Sequence, residues 1–159
     1  MKSRAFVLVA AGLLVAVAWA AAAEGEAITV DLKTFKFKVA DDLAALFGHN
    51  EDEGKLFFYA GGAGETTIKI PTDGEYELVV KASCDPAQGE RAKFKVTLGE
   101  AAVGMETLLT DDGSKEYKLT AKAKAGEQKL AIEYTNDVYK EGEYDRNFYV
   151  HGVSVKPVK

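Results

Sequence analysis

The sequence predicts an all-β chain: a two-sheet antiparallel β-sandwich of jelly-roll type with at most one short helix. Three observations carry that reading. Apolar and polar residues alternate in short runs, turn residues separate the runs at close intervals, and no long helical period appears. Many short strands punctuated by Gly, Pro, Asn and Asp belong to sandwiches and jelly rolls, not to parallel α/β sheets.

At the amino terminus Lys2 and Arg4 precede an uncharged stretch, residues 5–20, and Ala21-Ala22-Ala23 offers a small-x-small cleavage pattern. A secretory signal peptide over 1–23 is expected, leaving 24–159 as a single secreted or periplasmic domain. Nineteen uncharged residues from 5 to 23 also approach the length of a membrane span. The small residues ahead of Glu24 favour cleavage, so no membrane attachment is expected afterwards.

The strands follow in order. Residues 28–32 and 35–39 alternate as half-buried strands do, with Lys33, Lys36 and Lys38 suited to an edge. Residues 41–48 are the one helical candidate, with Asp41 as N-cap and Gly48 as stop, and 49–54 form a polar loop. A strand over 55–60 precedes a Gly61-Gly62-Ala63-Gly64 turn, and another over 66–70 ends at Pro71. Residues 74–82 set Tyr76, Leu78 and Val80 against Glu75, Glu77, Val79 and Lys81, and 91–98 send Phe94, Val96 and Leu98 to one face. Runs at 117–123, 129–134 and 148–155 repeat the scheme, with turns at Asp111-Asp112-Gly113 and Ala125-Gly126-Glu127. Nine or so strands result, and Tyr76, Tyr117 and Tyr134 fall in the core phase.

Removing Lys2 and Arg4 leaves 18 basic against 25 acidic residues, a net charge of about −7. Such a surface repels nucleic-acid phosphate and tolerates a divalent cation. Cys84 is the only cysteine, so no intrachain disulfide forms. It sits in Ser83-Cys84-Asp85-Pro86, which reads as a turn at a strand end with an incidental or partly exposed thiol.

Between the last two strands lies an acidic loop. Asn136, Asp137, Glu141, Glu143, Asp145 and Asn147 give it six oxygen-bearing side chains. Calcium takes six to eight oxygen ligands in a forgiving geometry, whereas magnesium needs a stricter octahedron and zinc wants His or Cys. The same residue types also serve simply as turn formers.

Other chemistries find less support. The glycine run has no following Lys-Ser/Thr and no helix, so it is not a phosphate loop. His49, Cys84, Met105 and His151 are too scattered for a copper site. No Gly-x-Ser-x-Gly elbow occurs, Ser83 and Ser114 read as turn residues, and the acids cluster in one loop instead of facing one another along a strand. The chain is therefore not expected to be an enzyme. Trp19, the only tryptophan, lies in the signal, which leaves Tyr and Phe as stacking residues.

Asn136-Asp137, followed by Tyr144-Asp145-Arg146-Asn147-Phe148-Tyr149-Val150 opening the final strand, resembles the C-terminal signature of calcium-dependent xylan-binding carbohydrate-binding modules. That signature is an Asn-Asp pair, a variable loop, then Asp-Arg-Asn-aromatic/Leu-Tyr-Val-Asp. The wider resemblance spans about 56–155, and His151 departs from it where relatives carry Asp. It implies that Asp137 and Asp145 supply carboxylate oxygens to calcium and Tyr144 a backbone carbonyl, with Asn136 and Asn147 either further ligands or loop-fixing hydrogen bonders. Polysaccharide, xylan-like, would be the partner, bridged by calcium and contacted by Tyr139, Tyr144 and Asp145. Arg146 would hold a loop carboxylate or stand as a surface cation. A calcium-stabilised structural or adhesion sandwich without sugar binding, and a small jelly-roll glycosidase, are the alternatives.

Overall fold

The computed structural model describes residues 25–158. The expected signal peptide, with Trp19, lies outside the described residues. Two antiparallel sheets enclose one core. In chain order the strands are β1 (Ile28–Thr29), β2 (Lys36–Phe37), β3 (Phe47–Asn50), β4 (Lys55–Phe58), β5 (Gly62–Ile70), β6 (Gly74–Asp85) and β7 (Lys93–Leu98). They continue with β8 (Ala101–Leu108), β9 (Lys115–Ala123), β10 (Gly126–Tyr134), β11 (Tyr139–Lys140), β12 (Tyr144–Asp145) and β13 (Asn147–Pro157). One sheet runs β3-β4-β13-β6-β9, with β1 also on β13; the other runs β2-β5-β10-β7-β8; β11 and β12 form a small separate hairpin. The predicted two-sheet sandwich is the observed fold.

Alternation explains the layers. Leu56, Phe58, Leu78, Val80, Val150 and Val155 from the first sheet meet Ile70, Phe94, Val96, Leu98, Leu130 and Ile132 from the second in one buried cluster. Phe148 stands at its centre, stacked on Phe94 at 5.4 Å and on Tyr134 at 5.7 Å. Tyr76, Tyr117 and Tyr134 are buried, as their phase predicts.

Several local expectations are corrected. The first two strands shrink to two residues each, because a 3-10 turn over Leu32–Thr34, capped by Asp31 accepting from the Lys33 N–H at 3.0 Å, occupies the space between them. The helical candidate is a 3-10 helix over Asp41–Leu46 without a side-chain cap, and Gly48 lies in β3. The glycine run opens β5 instead of turning. A Cβ on Gly62 would meet the Phe47 ring at 2.8 Å, and one on Gly64 the Phe37 ring at 2.8 Å, so these glycines clear space for aromatic packing. Strand β6 runs through the expected turn to Asp85, burying Cys84 and placing Ser83 in the sheet. Strand β8 was not expected from the pattern: it is an edge strand with only Val103 buried, so it lacks alternation. Among the described residues no helix is long and apolar enough to cross a membrane.

Candidate functional site

Strand β13 delivers the site. With Phe148 and Val150 turned into the core, Asn147 and Tyr149 take the other phase, and Asn147 pairs with Asp85 at the end of β6. A groove of about 670 Å³ opens here. The acidic loop contributes Asp137, Tyr139, Asp145 and Asn147; Tyr59 and Tyr149 add aromatic surface, and Leu46 and Ala60 apolar surface. Two other depressions, about 440 Å³ each, pair lysines with single carboxylates, Glu65 in one and Glu100 in the other, and hold no comparable cluster.

Within the groove the Asn147 amide nitrogen donates to Asp145 Oδ2 at 3.2 Å and to Asp85 Oδ2 at 3.3 Å. The Tyr149 hydroxyl donates to the same Asp85 oxygen at 2.6 Å. Asn147 is only 9% exposed, and its Oδ1 is buried without a hydrogen-bond partner. A buried amide oxygen left unpaired costs about 1–3 kcal/mol, so this one marks a place where a donor or a cation is wanted. Asp137 remains largely open to solvent, but burial against the groove raises its pKa, the Asp145 charge adds to the rise, and backbone N–H groups of Gly61 and Val138 oppose it.

Two side chains hold the loop in place. Asn136 accepts from the Lys93 N–H at 2.6 Å and donates to the Arg91 carbonyl at 2.9 Å, so its amide is spent on the chain before β7 and does not reach the groove. Arg146 is 4% exposed and far from being a surface cation. Its guanidinium donates to the carbonyls of Glu90 at 3.0 Å, Ala87 at 2.7 Å and Asn136, with the Glu90 carboxylate 3.6 Å away. The planar fork thus ties the 87–90 turn to the start of the acidic loop at Asn136. Tyr134 closes the arrangement by donating to the Arg146 carbonyl at 2.8 Å; burial, then the Asp137 charge, holds its hydroxyl pKa far above the ordinary phenol range.

The remaining sequence candidates fall elsewhere. Glu141 and Glu143 occupy the tip of the β11–β12 hairpin, where Gly142 takes φ 71° and Glu143 pairs with Lys140 at 2.5 Å. The Tyr144 side chain does not line the groove, whereas Tyr139 is 63% exposed within it. His151 sits at the bulge where the register with β6 shifts, its Nε2 2.7 Å from Ser83 Oγ, and burial, then Lys55 and Lys81, lower its pKa. Among the described residues no carboxylate hydrogen-bonds this pair into a triad. Sequence reasoning missed Tyr59 and Tyr149 as groove residues, and Asp85 as the carboxylate that Asn147 and Tyr149 bond. The period-two phase Asp145, Asn147, Tyr149 was the available signal for Tyr149.

A family model of Ca-dependent, xylan-binding carbohydrate-binding modules matches residues 77–159, more than half of the chain and all of the acidic loop. The chain belongs to this family. Solved structures share the sandwich. The CBM36-1 domain of a multidomain xylanase from the hindgut metagenome of Trinervitermes trinervoides is 11% identical at a TM-score of 0.64, over 84% of this chain and 99% of that one. A CBM36 module in complex with calcium and xylotriose is 16% identical at 0.54, over 80% and 97%. A family 35 module from Clostridium thermocellum is 12% identical at 0.54, over 84% and 99%. At such identities the likeness is one of fold. No curated protein matches the chain. Carbohydrate-binding modules are non-catalytic.

For a calcium-dependent module the donor set must suit a hard cation. Among the described residues no three His, Cys, Asp or Glu side chains converge as a metal-holding group. The groove instead gathers two carboxylates, Asp137 and Asp145, with a buried amide oxygen that lacks a partner. Carboxylate plus amide and carbonyl oxygen is the mixture calcium accepts, so the residues fit the ion.

Proposed function

We propose that this chain is a secreted, non-catalytic carbohydrate-binding module that holds xylan-like polysaccharide through a loop-bound calcium ion. The unpaired Oδ1 of Asn147, buried beside the Asp145 carboxylate, is the observation that carries the reading. Asp137, Asp145 and Asn147 would hold the ion with side-chain oxygens, and Tyr144 with its carbonyl. Asn136 belongs with the residues that fix the loop, since both ends of its amide are already engaged. Calcium so held offers coordination positions that two neighbouring sugar hydroxyls can fill in place of water.

The chain's own residues do the rest. Arg146 and Asn136 keep the loop in one conformation before sugar arrives, which reduces the ordering cost of binding. Tyr139 and Tyr59 present rings to the groove, suited to the apolar face of a pyranose. The proposed site lies on 24–159, and residues 1–23 act as a signal peptide; mass spectrometry of secreted protein beginning at Glu24 tests that. Calorimetric titration with xylan in calcium, then in chelator, tests the function. Binding in calcium that disappears in chelator is expected; equal binding in both rules out calcium bridging.

A further inference from the structure

Asn147 has two candidate carboxylate partners, and they are not equivalent. Asp145 lies on the loop side, exposed, and under the proposed function its oxygens go to the cation. Asp85 lies across the sheet on β6, paired in register with Asn147, and its Oδ2 is held by the Tyr149 hydroxyl at 2.6 Å. An amide directs its nitrogen toward carboxylates and its oxygen away from them, because the reverse would set two like partial charges together. With only Asp145 as partner, that orientation weakens once Asp145 turns its charge to a cation. A fixed second carboxylate keeps it.

Resting on the calcium reading, we infer that Asp85 is a positioning residue: held by Tyr149, it pins the Asn147 amide nitrogen so that the buried Oδ1 faces the cation site. The device lies outside the loop that carries the ligands. It reaches the site through strand pairing between β6 and β13 and is legible only in the folded chain. Outer partners of this kind orient metal ligands, and their loss typically costs 10 to 100-fold in affinity. Lys55, whose Nζ lies 4.2 Å from the Tyr149 ring centroid, holds the ring from one face.

The test measures calcium affinity alone, by calorimetry without sugar, for the parent, Asp85→Asn, Tyr149→Phe, Asn147→Ala and the double variant Asp85→Asn/Asn147→Ala, each with a melt in chelator. Asp85→Asn is expected to raise the calcium Kd about tenfold or more. Tyr149→Phe should raise it less, and neither should shift the chelator melt appreciably. Because Asp85 acts through Asn147, the Asp85 effect should vanish in the Asn147→Ala background. An Asp85→Asn protein binding calcium as the parent does overturns the inference while leaving the proposed function standing. Full additivity in the double variant overturns it too, making Asp85 an independent ligand. A parent that binds no calcium overturns both.

Discussion

Asp145 stands where loop meets strand β13, so its replacement separates charge from fold. Asp145→Ala should abolish xylan binding with a melt in chelator near the parent's, since the core contacts of Phe148 and Val150 do not involve it; unaltered xylan binding would sink the proposed mechanism. Asp145→Asn keeps an oxygen but loses a charge, so binding should weaken and recover as calcium is raised. Asp137 introduces a pH dependence. Folding raises its pKa, so its contribution to the ion-free protein is fully present below the unfolded-state value and is lost as pH rises through the folded value. Under the proposed function calcium affinity would follow the opposite course, because proton and cation would compete for the same oxygens. The calcium Kd should rise as pH is lowered from neutral toward about 4, the carboxylate range, and Asp137→Asn should flatten that profile in calorimetric titrations. Asp137, Asp145 and Asn147 were legible because they lie close together in one polar stretch. Asp85 was not, because only strand pairing brings it within reach of Asn147, 62 positions away.

The loop from Thr135 to Arg146 owes its shape to contacts with its surroundings. Its own hairpin is two residues a side, whereas Arg146 and Asn136 anchor it to the 87–93 segment. Arg146→Ala should cost about 2–4 kcal/mol in denaturant melts, since several buried carbonyls lose their donor at roughly 1–3 kcal/mol each. Arg146→Lys should recover little of it, because one ammonium cannot span three carbonyls set for a planar fork. A stability within 0.5 kcal/mol of the parent, the ordinary scatter of surface changes, would contradict that role. The sequence showed that Arg146 belonged to the site's signature but not that it would be buried, because its partners are backbone atoms that no side-chain pattern reports. Strands with one wet face, such as β6 and β7, were legible from alternation. Strand β8 was hidden because an edge strand with a single buried side chain has no period to detect, and the start of β5 because its glycines, read alone, look like a turn.

At the scale of the molecule, the two sheets close one apolar core, and the ion of the proposed function would sit on a loop outside it. Nothing in the core cluster comes from residues 135–147, so removing calcium should not unfold the protein, in contrast to a small metal-nucleated domain. It should nevertheless lower the melting temperature. An ion bound by the folded state alone stabilises by RT ln(1 + [L]/Kd), about 2.7 kcal/mol at a hundredfold excess over Kd, or on the order of 10 °C for a domain of this size. Magnesium at equal concentration should give a smaller rise, because a mixed site of two carboxylates with amide and carbonyl oxygens does not impose the tight octahedron that magnesium prefers. Calorimetric scans in calcium, magnesium and chelator decide the matter. Coincident melts in calcium and chelator would mean that the acidic loop binds no ion of consequence, and the unpaired Asn147 oxygen would then have to find its partner in the sugar itself.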